Sequence, residues 1–179
     1  MGDSISTPKY NDWWTQATTT AGRTVSVLSQ LAVGGERTDQ VLARIPNALT
    51  YNPTWISVLA GTNDVGQDIA TATITANLTS IYDQITAAGV GLIIYTVPPR
   101  GDGSGTQGQT LRDVNAWLRA NHTTWPDALF VDWSNALSEN ANEADPIDAY
   151  FEDSVHPNAT GRTAMADVLA PVLATAPAL

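Results

Sequence analysis

The chain is 179 residues long, 43% hydrophobic and 15% charged, which suits one globular domain with a single buried core. Its net charge of -10 and pI near 4.2 create a negative field that repels phosphate backbones, and no Lys/Arg cluster offsets it, which argues against a nucleic-acid partner. The absence of cysteine removes disulfides, thiolate zinc sites and cysteine nucleophiles together, and no apolar run is long enough to span a bilayer.

Short apolar runs alternate with helical stretches, the pattern of a parallel sheet covered by helices on both faces. In chain order, a short threonine-rich helix is expected from Asn11 to Thr20, then a strand from Val25 to Val33 and a helix from Asp39 to Leu49. A strand from Trp55 to Ala60 precedes a helix from Ile69 to Ala88, in which Ile74, Leu78, Ile81 and Ile85 recur at helical spacing. Further strands fall at Val90 to Val97 and Leu129 to Trp133, and further helices at Thr110 to Asn121 and Gly161 to Leu173. The Pro98 to Gly105 loop belongs at the carboxyl edge of the sheet, because its prolines stop the strand and its glycines allow unusual backbone angles. Ser138 to Glu152 reads as an acidic, solvated connection. The first residues carry neither the basic nor the apolar region of a secretion signal, and the compartment is left open.

Proton transfer near neutral pH generally uses histidine, and there are two, His122 and His156. His122 ends a predicted helix, where an imidazole suits the negative end of the helix dipole. His156 lies in Asp153-Ser154-Val155-His156-Pro157, and in a tight loop that spacing lets the Asp153 carboxylate reach Nδ1 and leave Nε2 free to accept a proton. The same residues could instead form a helix-entry loop in which Asp153 caps a turn and His156 lies on the surface. Gly2-Asp3-Ser4 offers a serine for a turn at the sheet edge, although such a tripeptide is also a common turn. Asn63, in Gly61-Thr62-Asn63-Asp64 after an apolar strand, could aim its amide at charge developing on a substrate oxygen or simply close its own turn. Val33-Gly34-Gly35-Glu36-Arg37-Thr38 could present a backbone N–H to the same oxygen.

Taken as an ordered set, Gly2-Asp3-Ser4, Gly35, Gly61-Thr62-Asn63-Asp64 and Asp153-Ser154-Val155-His156-Pro157 resemble the sequence blocks of the SGNH/GDSL hydrolases. Val97-Pro98-Pro99 and Asp113-Val114-Asn115-Ala116-Trp117-Leu118 are similar to supporting features of that family. The resemblance implies a three-layer α/β/α sandwich with a flavodoxin-like parallel sheet, and a serine esterase or acylhydrolase that needs no metal or cofactor. It carries over Ser4 as nucleophile, Asp153 and His156 as its activating pair, and the N–H groups of Ser4 and Gly35 with the Asn63 amide as the oxyanion hole. Gly35 is preferred to Gly34 because Gly35-Glu36-Arg37-Thr38 is more similar to the family's Gly-Asp-x-Thr.

The chain departs from the family at one place: an apolar central strand normally precedes the Gly-Asp-Ser block, and here only Met1 precedes Gly2. Either another chain or oligomer partner supplies that strand, or neighbouring strands close the gap, or a longer form carries it. Trp13, Tyr150 and Arg100 are candidate substrate contacts. Short-chain acyl or acetyl esters, on small molecules or carbohydrates, are the expected substrates, and the competing reading is an SGNH-like binding or structural module without activity.

Overall fold

A computed structural model describes residues 1–27, 31–101, 104–139 and 144–177. Three parallel strands, β1 (Trp55–Val58), β2 (Gly91–Tyr95) and β3 (Leu129–Val131), lie in that order, with Trp55 opposite Gly91 and Ile93 opposite Leu129. Both faces are buried, as parallel strands require, so alternate residues feed two cores. Ile56, Val58, Leu92 and Ile94 pack on one side with α2 (Thr38–Leu49), α4 (Thr71–Ala87) and α5 (Gly105–Asn121). Leu59, Ile93, Tyr95 and Val131 pack on the other with α1 (Asp12–Thr20) and α7 (Ala159–Thr175). Two short helices, α3 (Thr62–Gly66) and α6 (Ser134–Leu137), follow the ends of strands. Each large aliphatic or aromatic side chain buried in these cores contributes about 1.5–3 kcal/mol. Among the described residues no helix is long and apolar enough to cross a membrane.

The sheet continues beyond β1 only as single-residue bridges. Gly2 bridges in parallel to Leu59 on one side and to Ala32 on the other. The Leu59 N–H donates to the Met1 carbonyl at 3.3 Å, the Val33 N–H to the Gly2 carbonyl at 3.0 Å, and the Met1 amine to the Ser57 carbonyl at 2.8 Å. Met1 and Gly2 thus occupy the central position between β1 and the chain at 31–33, and Ser4 follows at the carboxyl edge. Burial, with the Arg44 guanidinium nearby, pulls the Met1 amine down to about 5 against the smaller opposing effect of Asp3.

Beside Met1 lies a cavity of about 340 Å³, lined among others by Val25, Val27, Leu31, Tyr51, Trp55 and Ser57. Among the described residues, β1 and the chain at 31–33 are joined through Gly2 and not to each other. Residues 28–30 of the expected Val25 to Val33 strand lie outside the described residues, and the rest is irregular apart from Ala32. A strand is held by its ladder, and among the described residues of this segment the ladder is the Gly2 to Ala32 bridge with its Val33 N–H to Gly2 carbonyl bond. The helix expected from Thr110 begins earlier, at Gly105, and its polar first turns carry no apolar periodicity to announce it. Residues 102–103 and 140–143 of the two expected loops are likewise outside the described residues.

Gly2 has φ +149°, and a Cβ there would collide with the Leu59 carbonyl and approach the Ser6 hydroxyl at 2.8 Å. Gly2→Ala is therefore expected to lower unfolding free energy by at least about 1–3 kcal/mol, the range for one strained backbone site. Urea denaturation measures this, and an unchanged midpoint would contradict the placement of Gly2 between its two neighbours.

Candidate active site

Ser4 opens a single 3-10 turn, Ser4–Ser6, directly after the Gly2 bridge. The Asp3 side chain caps that turn by accepting from the Ile5 N–H at 3.0 Å, while the Ser4 carbonyl accepts from the Thr7 N–H at 3.0 Å and its hydroxyl at 2.6 Å. The Trp13 indole N–H donates to the Ile5 carbonyl at 3.2 Å. These bonds fix the backbone that carries the Ser4 hydroxyl.

His156 arrives from the far end of the chain on a loop held at both sides. Asn158 caps α7 by accepting from the Thr160 and Gly161 N–H groups, Phe151 and Pro157 form an antiparallel bridge, and the Glu152 N–H donates to the His156 carbonyl at 2.9 Å. His156 Nε2 stands 2.9 Å from Ser4 Oγ, across 152 residues of sequence. Its Nδ1 stands 2.8 Å from Asp153 Oδ2, while Asp153 Oδ1 accepts from the Val155 and His156 N–H groups, each at 2.7 Å. With the ring proton on Nδ1 donating to Asp153, Nε2 is left to accept from the Ser4 hydroxyl. Burial pushes the Asp153 carboxyl up, but the bonds from the His156 ring and the two backbone N–H groups outweigh it and hold the group below the ordinary aspartate range. The spacing seen in sequence thus closes as a Ser-His-Asp constellation.

The two other expected elements converge beside it. Val33-Gly34-Gly35-Glu36 turns back on itself through a Glu36 N–H to Val33 carbonyl contact, with φ +81° at Gly35, the angle a type II turn needs at its second central residue. Gly34 is the residue whose position abuts Ser4, since a Cβ on it would lie 3.8 Å from Ser4 Cβ. The Asn63 side-chain amide donates to the Glu36 carbonyl at 2.9 Å, which leaves its second N–H for another acceptor. A buried clamp joins the same two segments: the Asp64 carboxylate accepts from the Thr38 N–H at 2.9 Å and its hydroxyl at 2.5 Å, and Asn77 donates to that hydroxyl at 3.0 Å.

The expected substrate contacts fare differently. Trp13 is 3% exposed and packs edge-on against Trp133 and Tyr95, so it belongs to the core and not to an open aromatic rim. Arg100 is half-buried, and its guanidinium donates to the Thr62 carbonyl and lies over Gly66, which commits it to α3. Tyr150 is half-buried in the 3-10 turn Asp148–Tyr150, its carbonyl accepting from the Asn158 N–H at 2.8 Å. His122 stacks on Phe130 with ring centroids 4.2 Å apart, its Nδ1 2.9 Å from the Arg119 carbonyl, as a helix-end residue would. Sequence reasoning missed Tyr10, whose ring stacks on His156 at 4.7 Å and 13°. No spacing rule announces a contact between residues so far apart in the chain.

The sequence matches the model of the GDSL-like Lipase/Acylhydrolase family over residues 1–164, and the chain belongs to that family of ester hydrolases. No curated protein matches it significantly. Among solved structures it is similar to a GDSL-like lipase from Bacteroides thetaiotaomicron VPI-5482, with TM-score 0.75 and 20% identity over 97% of this chain and 85% of that one. It is also similar to a variant of an acetyl-xylooligosaccharide esterase from Geobacillus stearmophilus, with TM-score 0.72 and 19% identity over 96% and 91% of the two chains. A variant acetyl esterase with acetate ion gives TM-score 0.71 and 21% identity over 97% and 93%. These likenesses establish the SGNH fold, the three-layer α/β/α arrangement described above.

Asp3, one residue before Ser4, is fully buried, and its Oδ2 has no hydrogen-bond partner of normal geometry although the Thr62 hydroxyl lies beside it. Burial pushes its carboxyl up to about 6, against the opposing pull of the Ile5 N–H. Because the folded value exceeds the unfolded one, the stability this group contributes is complete below the unfolded value near 3.8 and is lost as pH rises through 6. Asp3→Asn is expected to flatten the fall in stability between pH 4 and 6, by on the order of 3 kcal/mol. Denaturation midpoints of the two proteins across that range check it, and parallel pH curves would contradict the assignment.

Proposed function

We propose that the protein hydrolyses carboxylic esters through an acyl-enzyme on Ser4. The Ser4 hydroxyl oxygen attacks the ester carbonyl while His156 Nε2 takes its proton, and Asp153 at Nδ1 stabilises the imidazolium that forms. The negative oxygen of the tetrahedral intermediate is held by the N–H groups of Ser4 and Gly35 and by the Asn63 amide. As it collapses, the carbon to leaving-oxygen bond breaks and His156 returns the proton to the departing alcohol. Water deprotonated by the same imidazole then attacks the acyl carbonyl, releases the acid and restores the Ser4 hydroxyl.

The observation that carries this reading is the pair of contacts at His156, 2.9 Å to Ser4 Oγ and 2.8 Å to Asp153 Oδ2. The substrates proposed are short acyl or acetyl esters, including those on carbohydrates. The resemblance in fold to two acetyl esterases supports that choice, one of them acting on acetylated xylooligosaccharides.

Turnover of nitrophenyl esters of increasing chain length and of acetylated sugars tests both levels. Acetyl and other short esters are expected to be preferred, and Ser4→Ala is expected to abolish the activity. Preference for long acyl chains would overturn the substrate proposal, and turnover surviving in Ser4→Ala would overturn the mechanism. Asn63→Ala is expected to lose about a hundredfold or more in kcat with short aryl esters, the usual loss for one oxyanion donor. Near-normal turnover would remove Asn63 from the oxyanion hole.

A further inference from the structure

Around His156 runs a closed circuit of contacts that the reaction above does not use. The Tyr10 ring lies on the imidazole face, with centroids 4.7 Å apart and planes 13° apart. The Tyr10 hydroxyl donates to Glu152 Oε1 at 2.7 Å, and the Glu152 backbone N–H donates to the His156 carbonyl at 2.9 Å. From ring to hydroxyl to carboxylate to backbone, the circuit returns to the residue it began on. Lys9 closes the outer side, its ammonium bonded to the Tyr10 hydroxyl, 3.2 Å from Glu152 Oε1 and 4.4 Å from the centre of the Tyr10 ring.

The imidazole needs such a holder. Asp153 holds the ring at Nδ1 and Ser4 faces Nε2, but that carboxylate is half-exposed, and two contacts in the ring plane leave the ring free to tilt out of it. A second plane pressed on the ring face removes that freedom. Tyr10 is suited to the task because it is only 6% exposed and its own backbone is fixed by the Tyr10 N–H to Thr7 carbonyl bond at 2.9 Å, in the turn that follows Ser4. The same short segment therefore carries the hydroxyl that His156 faces and the ring that holds His156 in place.

We propose that Tyr10 is the positioning residue of the His156 imidazole, with Glu152 as the tether that sets the Tyr10 ring. This inference rests on the serine mechanism proposed above and adds to it two residues outside the Ser-His-Asp constellation. The stack also acts electrostatically, since an aromatic face attracts a cation and favours the imidazolium formed as Ser4 attacks. The charged groups around the ring are Asp153 at Nδ1, buried Asp3 beneath the nucleophile, and the Lys9 and Glu152 pair beyond Tyr10. Removing Glu152 leaves Lys9 without its carboxylate partner here, and removing the aromatic face withdraws its attraction. Both changes disfavour the imidazolium formed as Ser4 attacks, so both lower kcat.

The test uses steady-state kinetics with nitrophenyl acetate across pH on Tyr10→Leu, Tyr10→Phe, Glu152→Ala and the Tyr10→Phe/Glu152→Ala double variant. Tyr10→Leu is expected to lose about a hundredfold in kcat with little change in KM, the scale of loss from a misplaced catalytic group. Tyr10→Phe, which keeps the stack, and Glu152→Ala are each expected to lose several-fold, and the double variant no more than the larger single loss, because both cut one tether. Since Glu152 is well exposed, its variant is expected to fold even where Tyr10→Leu does not. Nuclear Overhauser contacts between the Tyr10 and His156 rings in the wild-type protein read the stack without substitution, simplified by the presence of only two histidines.

Absence of those contacts overturns the proposal. So does wild-type kcat in both Glu152→Ala and Tyr10→Phe, while turnover remains dependent on Ser4. Equal turnover in wild type and Ser4→Ala is a different result: it overturns the serine mechanism, and this inference with it.

Discussion

The contact between the Ser4 hydroxyl and the His156 imidazole joins the two ends of the chain, and the rest of the fold is arranged so that this contact can exist. A link across 152 residues carries a large loop-closure cost, which one hydrogen bond of about 1 kcal/mol cannot offset. The two cores do so, and α1 against α7 is the packing that does most locally, because the helix after Ser4 and the helix after His156 lie together. Trp13 on α1 meets Trp133, whose indole N–H donates to the Met165 carbonyl on α7 at 3.0 Å. The site is thus a by-product of a well-packed layer, placed at the sheet edge where the strands end.

Polar groups around the site are ordered in shells of decreasing exposure. Asp153 is the most open and keeps a charge-stabilising set of N–H donors. Asp64 is buried and satisfied by Thr38, and burial pushes its carboxyl up even so. Asp3 is buried with one oxygen unpartnered. Such a group costs stability, and strain of this kind gathers where function constrains the backbone. Three acidic residues with three environments therefore sit within one small region, and their sequence neighbours give no hint of the difference.

What the sequence discloses is what local chemistry decides. The turns at 2–4, 33–36 and 153–157 depend on glycine and aspartate acting on their own backbone, whereas at 61–64 Gly61 turns the chain and Asn63 and Asp64 reach across to Glu36 and Thr38. Ile74, Leu78, Ile81 and Ile85 are each fully buried on α4, as their spacing requires. What stays hidden depends on partners remote in the chain. Residues 25–33 have the composition of a strand, but among the described ones Ala32 alone forms a bridge, to Gly2. Trp13 looks like a rim aromatic until the core that encloses it is built, and Tyr10 acquires meaning only when His156 arrives beside it. The choice between Gly34 and Gly35 is likewise tertiary: motif similarity favours Gly35, whereas Gly34 abuts Ser4.

Activation of Ser4 by His156, as proposed, is tested most directly by covalent trapping. Treatment with a fluorophosphonate followed by intact-mass and peptide mass spectrometry should show one phosphonyl group per chain, attached to Ser4, with labelling slowed by orders of magnitude in His156→Ala. A folded protein that stays unlabelled, or one labelled at another residue, would contradict the account.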